Sequence, residues 1–271
     1  VIDEARASFQ EVVAMKAVLL AGGLGTRMRE ETEFRPKPMV EVGGRPVLWH
    51  IMKVLGHQGI EEFVVCTGYK SEYIKDYFLN YGAVNNDFTV TLGDHAGISY
   101  HGAHDESHWT VTVADTGADT MTGGRIKRVR KYVGDEPFLA TYGDGIADVN
   151  LEELLAFHKS HGKLATMTTV QPLSRFGVLD LESDGTVRQF KEKPQVEGWI
   201  NIGYFIFEPG VFDYLGDDTT VLEQEPLHRL AEDGQIAAYK HTGFWQPMDT
   251  YREALMLNEL WADGAPWHIW K

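Results

Sequence analysis

Two aspartates, two lysines and two arginines stand within two residues of glycine or proline, a pattern that can hold phosphates and a hard cation. Gly22-Gly23-Leu24-Gly25-Thr26-Arg27 follows the apolar run Lys16 to Ala21. Glycines let backbone N–H groups approach phosphate oxygens with no Cβ in the way, and Arg27 and Lys37 can add charge-assisted bonds. Asp144, between Gly143 and Gly145, ends the run Pro137 to Tyr142. A hard oxygen donor there suits Mg²⁺ better than zinc. Asp249, in Trp245-Gln246-Pro247-Met248-Asp249, offers a second ligand. Arg125 follows Gly123-Gly124, and Glu192-Lys193-Pro194 follows a strand end. Lys193 can bind a phosphate while Glu192 accepts hydroxyls, as a sugar phosphate requires. Taken singly, a glycine turn or an aspartate also serves as a plain turn or helix cap, and the basic run Arg125 to Lys131 reads mainly as a polar helix face.

Other chemistries fit less well. The dinucleotide pattern G-x-G-x-x-G fails because Met28 stands where the third glycine belongs, and no Lys-Ser or Lys-Thr completes a P-loop. The histidines form no H-E-x-x-H; His101, His104 and His108 fall in a loop region. Trp109, Trp199, Trp267 and Trp270 read as packing residues, and Trp245 has the better claim to a pocket because it precedes Asp249 closely. Cys66, alone in an apolar run, reads as core filler and fits a reducing, cytoplasmic compartment.

These groups need rigid elements to position them. Strand Lys16 to Ala21, helix Val47 to Gln58, strand Glu62 to Thr67 and a helix opening at Ser71 predict an α/β fold with a mostly parallel, Rossmann-like sheet. Residues 81–113 predict a strand-rich excursion, with Phe88 to Leu92 and Trp109 to Val113 as strands and no helix. Further on, the pattern predicts a helix over Ile126 to Val133, strand Pro137 to Tyr142, a helix through Leu151, Leu154, Leu155 and His158, and strand Ala165 to Val170. A hairpin (Phe176 to Leu181, Thr186 to Phe190), strand Asn201 to Phe207 and helices Leu222 to Leu230 and Tyr251 to Leu260 follow. With no interior linker, residues 15–271 read as a single domain, preceded by an extension over 1–14 with Met15 as a natural start.

The chain has 271 residues and a net charge of −15, with 43% hydrophobic and 24% charged residues. That charge argues against nucleic-acid binding, because no large basic patch displaces phosphate counterions. No run of 18 apolar residues predicts a membrane span, and VIDEARASFQEVVA lacks the basic start and apolar core of a signal peptide.

The ensemble RPKPMVEVGGRPVLWHIMK (35–53), TGYK (67–70), TGGRIKRV (122–129), TYGDGIADV (141–149), RFGVLDL (175–181), FKEKP (190–194) and GFWQPMDT (243–250), with the opening glycine turn, resembles the sugar-1-phosphate nucleotidylyltransferases. Within that family it is similar to the glucose-1-phosphate cytidylyltransferase branch. The resemblance spans Met15 to Lys271 and implies the nucleotide-diphospho-sugar transferase fold, a Mg²⁺-dependent transfer from CTP to α-D-glucose 1-phosphate, and a homo-oligomer, a hexamer. It assigns the nucleotide to Leu20, Gly22, Gly23, Gly25, Thr26, Arg27, Arg125 and Asp144. Gly145, Glu192, Lys193 and Asn201 take the sugar phosphate, Asp144 and Asp249 the metal, and Arg27, Lys37 and Lys193 serve as catalytic cations. It further implies that the 81–113 excursion encloses substrate and contacts other subunits.

One departure touches the sugar. The cytidylyl pattern has Asn-Gly-Gly-Phe or Asn-Ala-Gly-Phe where this chain has Asn201-Ile202-Gly203-Tyr204. Ile202 reads either as a core side chain, since sides alternate along a strand, or as bulk that changes the sugar accepted. A uridylyl or thymidylyl transferase for a related sugar phosphate, and a nonenzymatic nucleotide-sugar sensor, are the competing readings.

Overall fold

Strand β1 (Lys16–Leu20) sends Ala17 and Leu19 into one core layer and Val18 and Leu20 into the other, so it is buried on both faces. That pattern belongs to a central parallel strand covered on both sides. The computed structural model describes residues 12, 15–26, 28, 32–93, 97–174 and 176–270. The expected extension over 1–14 falls largely, and Arg27, expected to bind phosphate, wholly outside the described residues.

After β1, a one-turn 3-10 segment (Lys37–Met39) and the short pair β2 (Glu41–Val42) and β3 (Arg45–Pro46) lead into helix α1 (Val47–His57). Strand β4 (Glu62–Thr67), helices α2 (Ser71–Leu79) and α3 (Tyr81–Asn85) and hairpin β5 (Asp87–Thr91) with β6 (Gly97–His101) follow. Next come β7 (Thr110–Asp115), α4 (Thr122–Arg128), α5 (Arg130–Val133), β8 (Phe138–Tyr142) and β9 (Gly145–Ala147). Helix α6 (Leu151–His161), β10 (Ala165–Val170), hairpin β11 (Val178–Leu181) with β12 (Val187–Lys191), and β13 (Ile200–Phe207) precede α7 (Glu225–Glu232). The chain closes with β14 (Ile236–Lys240), β15 (Trp245–Pro247) and α8 (Tyr251–Ala262).

Seven strands form the main sheet in the order β14-β10-β13-β8-β1-β4-β7. All neighbours are parallel except those of β13, which runs antiparallel to both β8 and β10. The first strand lies inside the sheet, with β4 on one side and β8 on the other. This is the point of order reversal, where loops at the strand C-termini part and leave a crevice. Register places Leu20 beside Cys66 and Tyr142, so the glycine turn and Gly143-Asp144-Gly145 emerge side by side.

The 81–113 region divides differently from its sequence reading. Thr110–Asp115 pairs in parallel with β4 and is an edge strand of the main sheet; only the β5–β6 hairpin is an excursion. Tyr81–Asn85 is helical where no helix is expected, because the Trp49 indole N–H donates to the buried Tyr81 hydroxyl at 2.9 Å and tertiary contact overrides the weak helix former Gly82. The expected helix over 126–133 begins earlier, at Thr122, and is interrupted at Val129. Pro226 moves the start of α7 to Glu225, past the expected Leu222. No helix among the described residues is long and apolar enough to cross a membrane. Cys66 is fully buried and its thiol is pushed up to about 12 by desolvation, which leaves it inert.

His50, buried on α1, fixes the C-terminal segment through a single tautomer. The Trp267 indole N–H donates to Nδ1 at 3.3 Å, so Nε2 carries the proton and donates to the Val42 carbonyl at 2.7 Å. Burial holds its pKa down to about 4, below the ordinary histidine value of 6.5. The unfolded chain therefore takes up a proton before the native state does. This contribution to stability is complete above about pH 6.5 and disappears as pH falls towards about 4, by at most about 3 kcal/mol. Urea midpoints at about pH 7 and about pH 5 are expected to separate more for the parent than for His50→Asn.

Candidate active site

Arg125 organises the mouth of the crevice. Its side chain is buried, and Nη1 donates to the Thr67 carbonyl (3.1 Å), Thr116 Oγ1 (2.7 Å) and the Gly117 carbonyl (2.8 Å). Nη2 donates to the carbonyls of Gly22 (2.9 Å) and Ala118 (3.2 Å). One guanidinium thus ties the ends of β1, β4 and β7 together. A Cβ at Gly22 would stand 2.2 Å from Nη1, so the first glycine of the turn admits this side chain. Desolvation lowers the Arg125 pKa from the usual arginine value. Gly123 and Gly124, which directly precede Arg125, serve packing: a Cβ on Gly123 would lie 2.8 Å from Thr220 Cγ2 and one on Gly124 2.8 Å from Asp218 Cα.

A cavity of about 280 Å³ opens above this turn. Leu20, Gly22, Gly23, Gly25 and Thr26 line one side, and Lys37, Arg125 and Asp144 close it. Thr120, Met121 and Tyr142 also border it and were not legible as site residues. Their signal is positional only, since they directly precede the TGGR and GDG motifs.

Lys37, 7% exposed, lies between the two aspartates singled out by sequence. Its Nζ is 2.7 Å from Asp144 Oδ2 and 2.5 Å from Asp249 Oδ1. Local structure sets this meeting. Asp144 directly precedes β9, which pairs antiparallel with β15 so that Gly145 faces Pro247, and the Met248 N–H donates to the Asp144 carbonyl at 2.9 Å. Asp249 is held by the start of α8, where the Glu253 carboxylate accepts the N–H groups of Asp249 (2.8 Å) and Thr250 (2.9 Å) in a capping box. At the other end of the ladder, His241 Nε2 lies 3.2 Å from the Phe244 carbonyl in the loop before β15, with Asp148 Oδ1 at 3.0 Å.

The two carboxylates fit a magnesium ion. They are hard oxygen donors that reach one common point, and both remain partly exposed, which leaves coordination positions for phosphate and water oxygens. No group of three or more His, Cys, Asp or Glu side chains among the described residues forms a metal cage.

A second cavity, about 320 Å³, adjoins the first and shares Tyr142 and Asp144 with it. Gly145, Asn201, Trp245 and Asp249 line it. Gly203, at φ +81, kinks β13 there, and Asn201 Oδ1 accepts its N–H at 2.8 Å. A Cβ on Gly203 would lie 2.1 Å from the Tyr142 ring, so this glycine lets Tyr142 stand as the partition. The Tyr142 hydroxyl and Trp245 indole nitrogen are buried without a hydrogen-bond partner and border this cavity, where a polar ligand could satisfy them. Ile202, 5% exposed, packs in the core cluster containing Tyr204 and Ile206 and also borders this cavity, so each of its two readings finds a contact. Glu192 and Lys193 line neither cavity; they are exposed at the foot of the β11–β12 hairpin, 3.7 Å apart, with Lys193 left-handed at φ +43.

Residues 16–263 match the model of the nucleotidyl transferase family. The chain belongs to that family. Among nucleotidyl transferases it is 51% identical over 260 residues to the glucose-1-phosphate cytidylyltransferase of Salmonella typhi, covering 95% of this chain and 100% of that protein. The probable glucose-1-phosphate cytidylyltransferase of Bacillus subtilis (strain 168) is 46% identical over 258 residues, covering 94% of this chain and 100% of the relative. These full-length identities place this nucleotidyl transferase in the glucose-1-phosphate cytidylyltransferase group. The crystal structure of HddC from Yersinia pseudotuberculosis superposes with a TM-score of 0.67 at 24% identity, covering 91% of this chain and 99% of that one, and supports the fold. Membership of the family implies a nucleotidyl transfer that depends on a divalent metal.

Proposed function

We propose that this nucleotidyl transferase moves the cytidylyl group of CTP onto α-D-glucose 1-phosphate, giving CDP-glucose and pyrophosphate. The observation that carries this reading is the pair of adjoining cavities with Asp144 and Tyr142 in their common wall, in a chain 51% identical to a glucose-1-phosphate cytidylyltransferase. The glycine turn would hold the triphosphate, and the Asn201 cavity the sugar phosphate. A phosphate oxygen of the sugar attacks the α-phosphorus in line as the bond to pyrophosphate breaks. The attacking phosphate is already largely ionised near neutral pH, so no side-chain base is needed. The obstacle is repulsion between two anions. Lys37 would neutralise the α-phosphate, and Arg27 the leaving pyrophosphate. A Mg²⁺ ion held by Asp144 and Asp249 would supply Lewis-acid neutralisation of phosphate oxygens.

Turnover is read as pyrophosphate release from CTP, UTP, dTTP, ATP and GTP against several sugar 1-phosphates with Mg²⁺. Fastest release with CTP and glucose 1-phosphate supports the assignment, and none across the panel removes the enzyme reading. Asp144→Asn and Asp249→Asn are each expected to slow turnover about a hundredfold with folding retained. An unchanged Mg²⁺-dependent rate in either variant takes that residue out of the metal pair.

The working particle is proposed to be a homohexamer. Every residue of β5, β6, β11 and β12 is exposed, with Phe88, Ile98, Leu179 and Phe190 among them. Isolated two-stranded hairpins are marginal in water, and further copies of the chain would cover these arms. Mass from sedimentation equilibrium tests the copy number.

A further inference from the structure

We infer that Lys37 gates the cation site: before nucleotide arrives its ammonium holds Asp144 and Asp249, and a divalent cation gains both carboxylates only when a phosphate draws the lysine away. The inference rests on reading the two aspartates as the metal pair and adds an order of binding to it. Nζ lies within ion-pair distance of both, at 2.7 and 2.5 Å, and so occupies the point that a shared cation would need. The lysine side chain is 8% exposed, against 33% for Asp144 and 22% for Asp249, so the pairing is little screened by solvent on the lysine side. A divalent ion entering beside an ammonium that stayed would face direct repulsion, and would compete for carboxylates already neutralised by that ammonium.

The same residue has somewhere to go. Its backbone is anchored in the 3-10 turn between Pro36 and Pro38, while its flexible stem borders the cavity of Gly22, Gly23 and Gly25. Phosphate oxygens placed there give the ammonium a new partner. By linkage, nucleotide and cation then raise each other's affinity by one common factor, part of which passes through Lys37.

Mn²⁺ titration followed by electron paramagnetic resonance, without nucleotide, tests this on the full chain. Lys37→Met and Lys37→Gln are expected to bind Mn²⁺ about tenfold or more tightly than the parent. Lys37→Arg keeps the charge and is expected to bind as weakly as the parent. Adding Asp249→Asn to Lys37→Met should abolish the gain. Equal affinity in the parent and the neutral variants overturns the gate. If circular dichroism shows both neutral variants unfolded, the parent decides with CMP as the phosphate probe. A gain of about tenfold in Mn²⁺ affinity on adding CMP supports the gate, and no gain overturns it. Turnover in the nucleotide panel with equal Mn²⁺ affinities removes only the gate. Tight Mn²⁺ binding by Lys37→Met with no turnover of the parent in any nucleotide removes only the transferase assignment.

Discussion

Lys37→Ala is expected to lower the rate of pyrophosphate release by about a thousandfold while the chain stays folded. Its ammonium is the one described cation lying between the two aspartates at the junction of the cavities. In the proposed reaction negative charge concentrates around the α-phosphorus, and a preorganised cation in a water-poor site lowers that barrier by about 4 kcal/mol. The fold should persist because Lys37 is held in a turn rather than in the sheet, and the Asp144 and Asp249 backbones are fixed independently by the β9–β15 ladder and the capping box. Single-turnover kinetics with saturating CTP and sugar phosphate, beside a circular dichroism melt, measures both parts. A rate within tenfold of the parent would show that charge neutralisation at the α-phosphorus lies elsewhere.

Arg125→Met is expected to destabilise the protein by about 3 to 5 kcal/mol and to weaken nucleotide binding together with it. Four carbonyls and one hydroxyl share its guanidinium, and methionine fills most of the volume while donating to none of them. The carbonyl of Gly22 loses its tie to the ends of β4 and β7, so the glycine turn loses its fixed position as well. Arg125→Lys should recover little, because one ammonium cannot reproduce the fork. Urea unfolding gives the stability term, and CTP affinity well below the unfolding midpoint gives the binding term. Normal stability with lost CTP affinity would instead make Arg125 a direct ligand of the nucleotide.

The two residues mark where sequence reading succeeds and where it stops. Local patterning was sufficient for β1 and β4, since a doubly buried strand must be apolar on both faces and its ends must be punctuated. It was insufficient for Thr110–Asp115, whose half-buried alternation suits an excursion as well as the edge strand it forms on β4. Tyr81–Asn85 escaped notice because a buried hydroxyl on a distant indole, rather than helical periodicity, stabilises that turn.

By itself the sequence determined the inventory: a glycine turn after a strand, Lys37, Asp144 and Asp249, each tied to a local motif, and a family likeness that spans the chain. Residue type and local spacing carry such information because turns, caps and strand ends depend on near neighbours. Only the tertiary structure decided that Arg125 spends its donors on three strand ends, that Gly123-Gly124 serves packing, and that Ile202 packs in the core while bordering the second cavity. It also brought Lys37 against two carboxylates more than a hundred residues away, through the parallel register of β1 with β8 and the β9–β15 ladder. Those outcomes depend on which surfaces meet when the sheet closes, and no local pattern along the chain encodes that meeting.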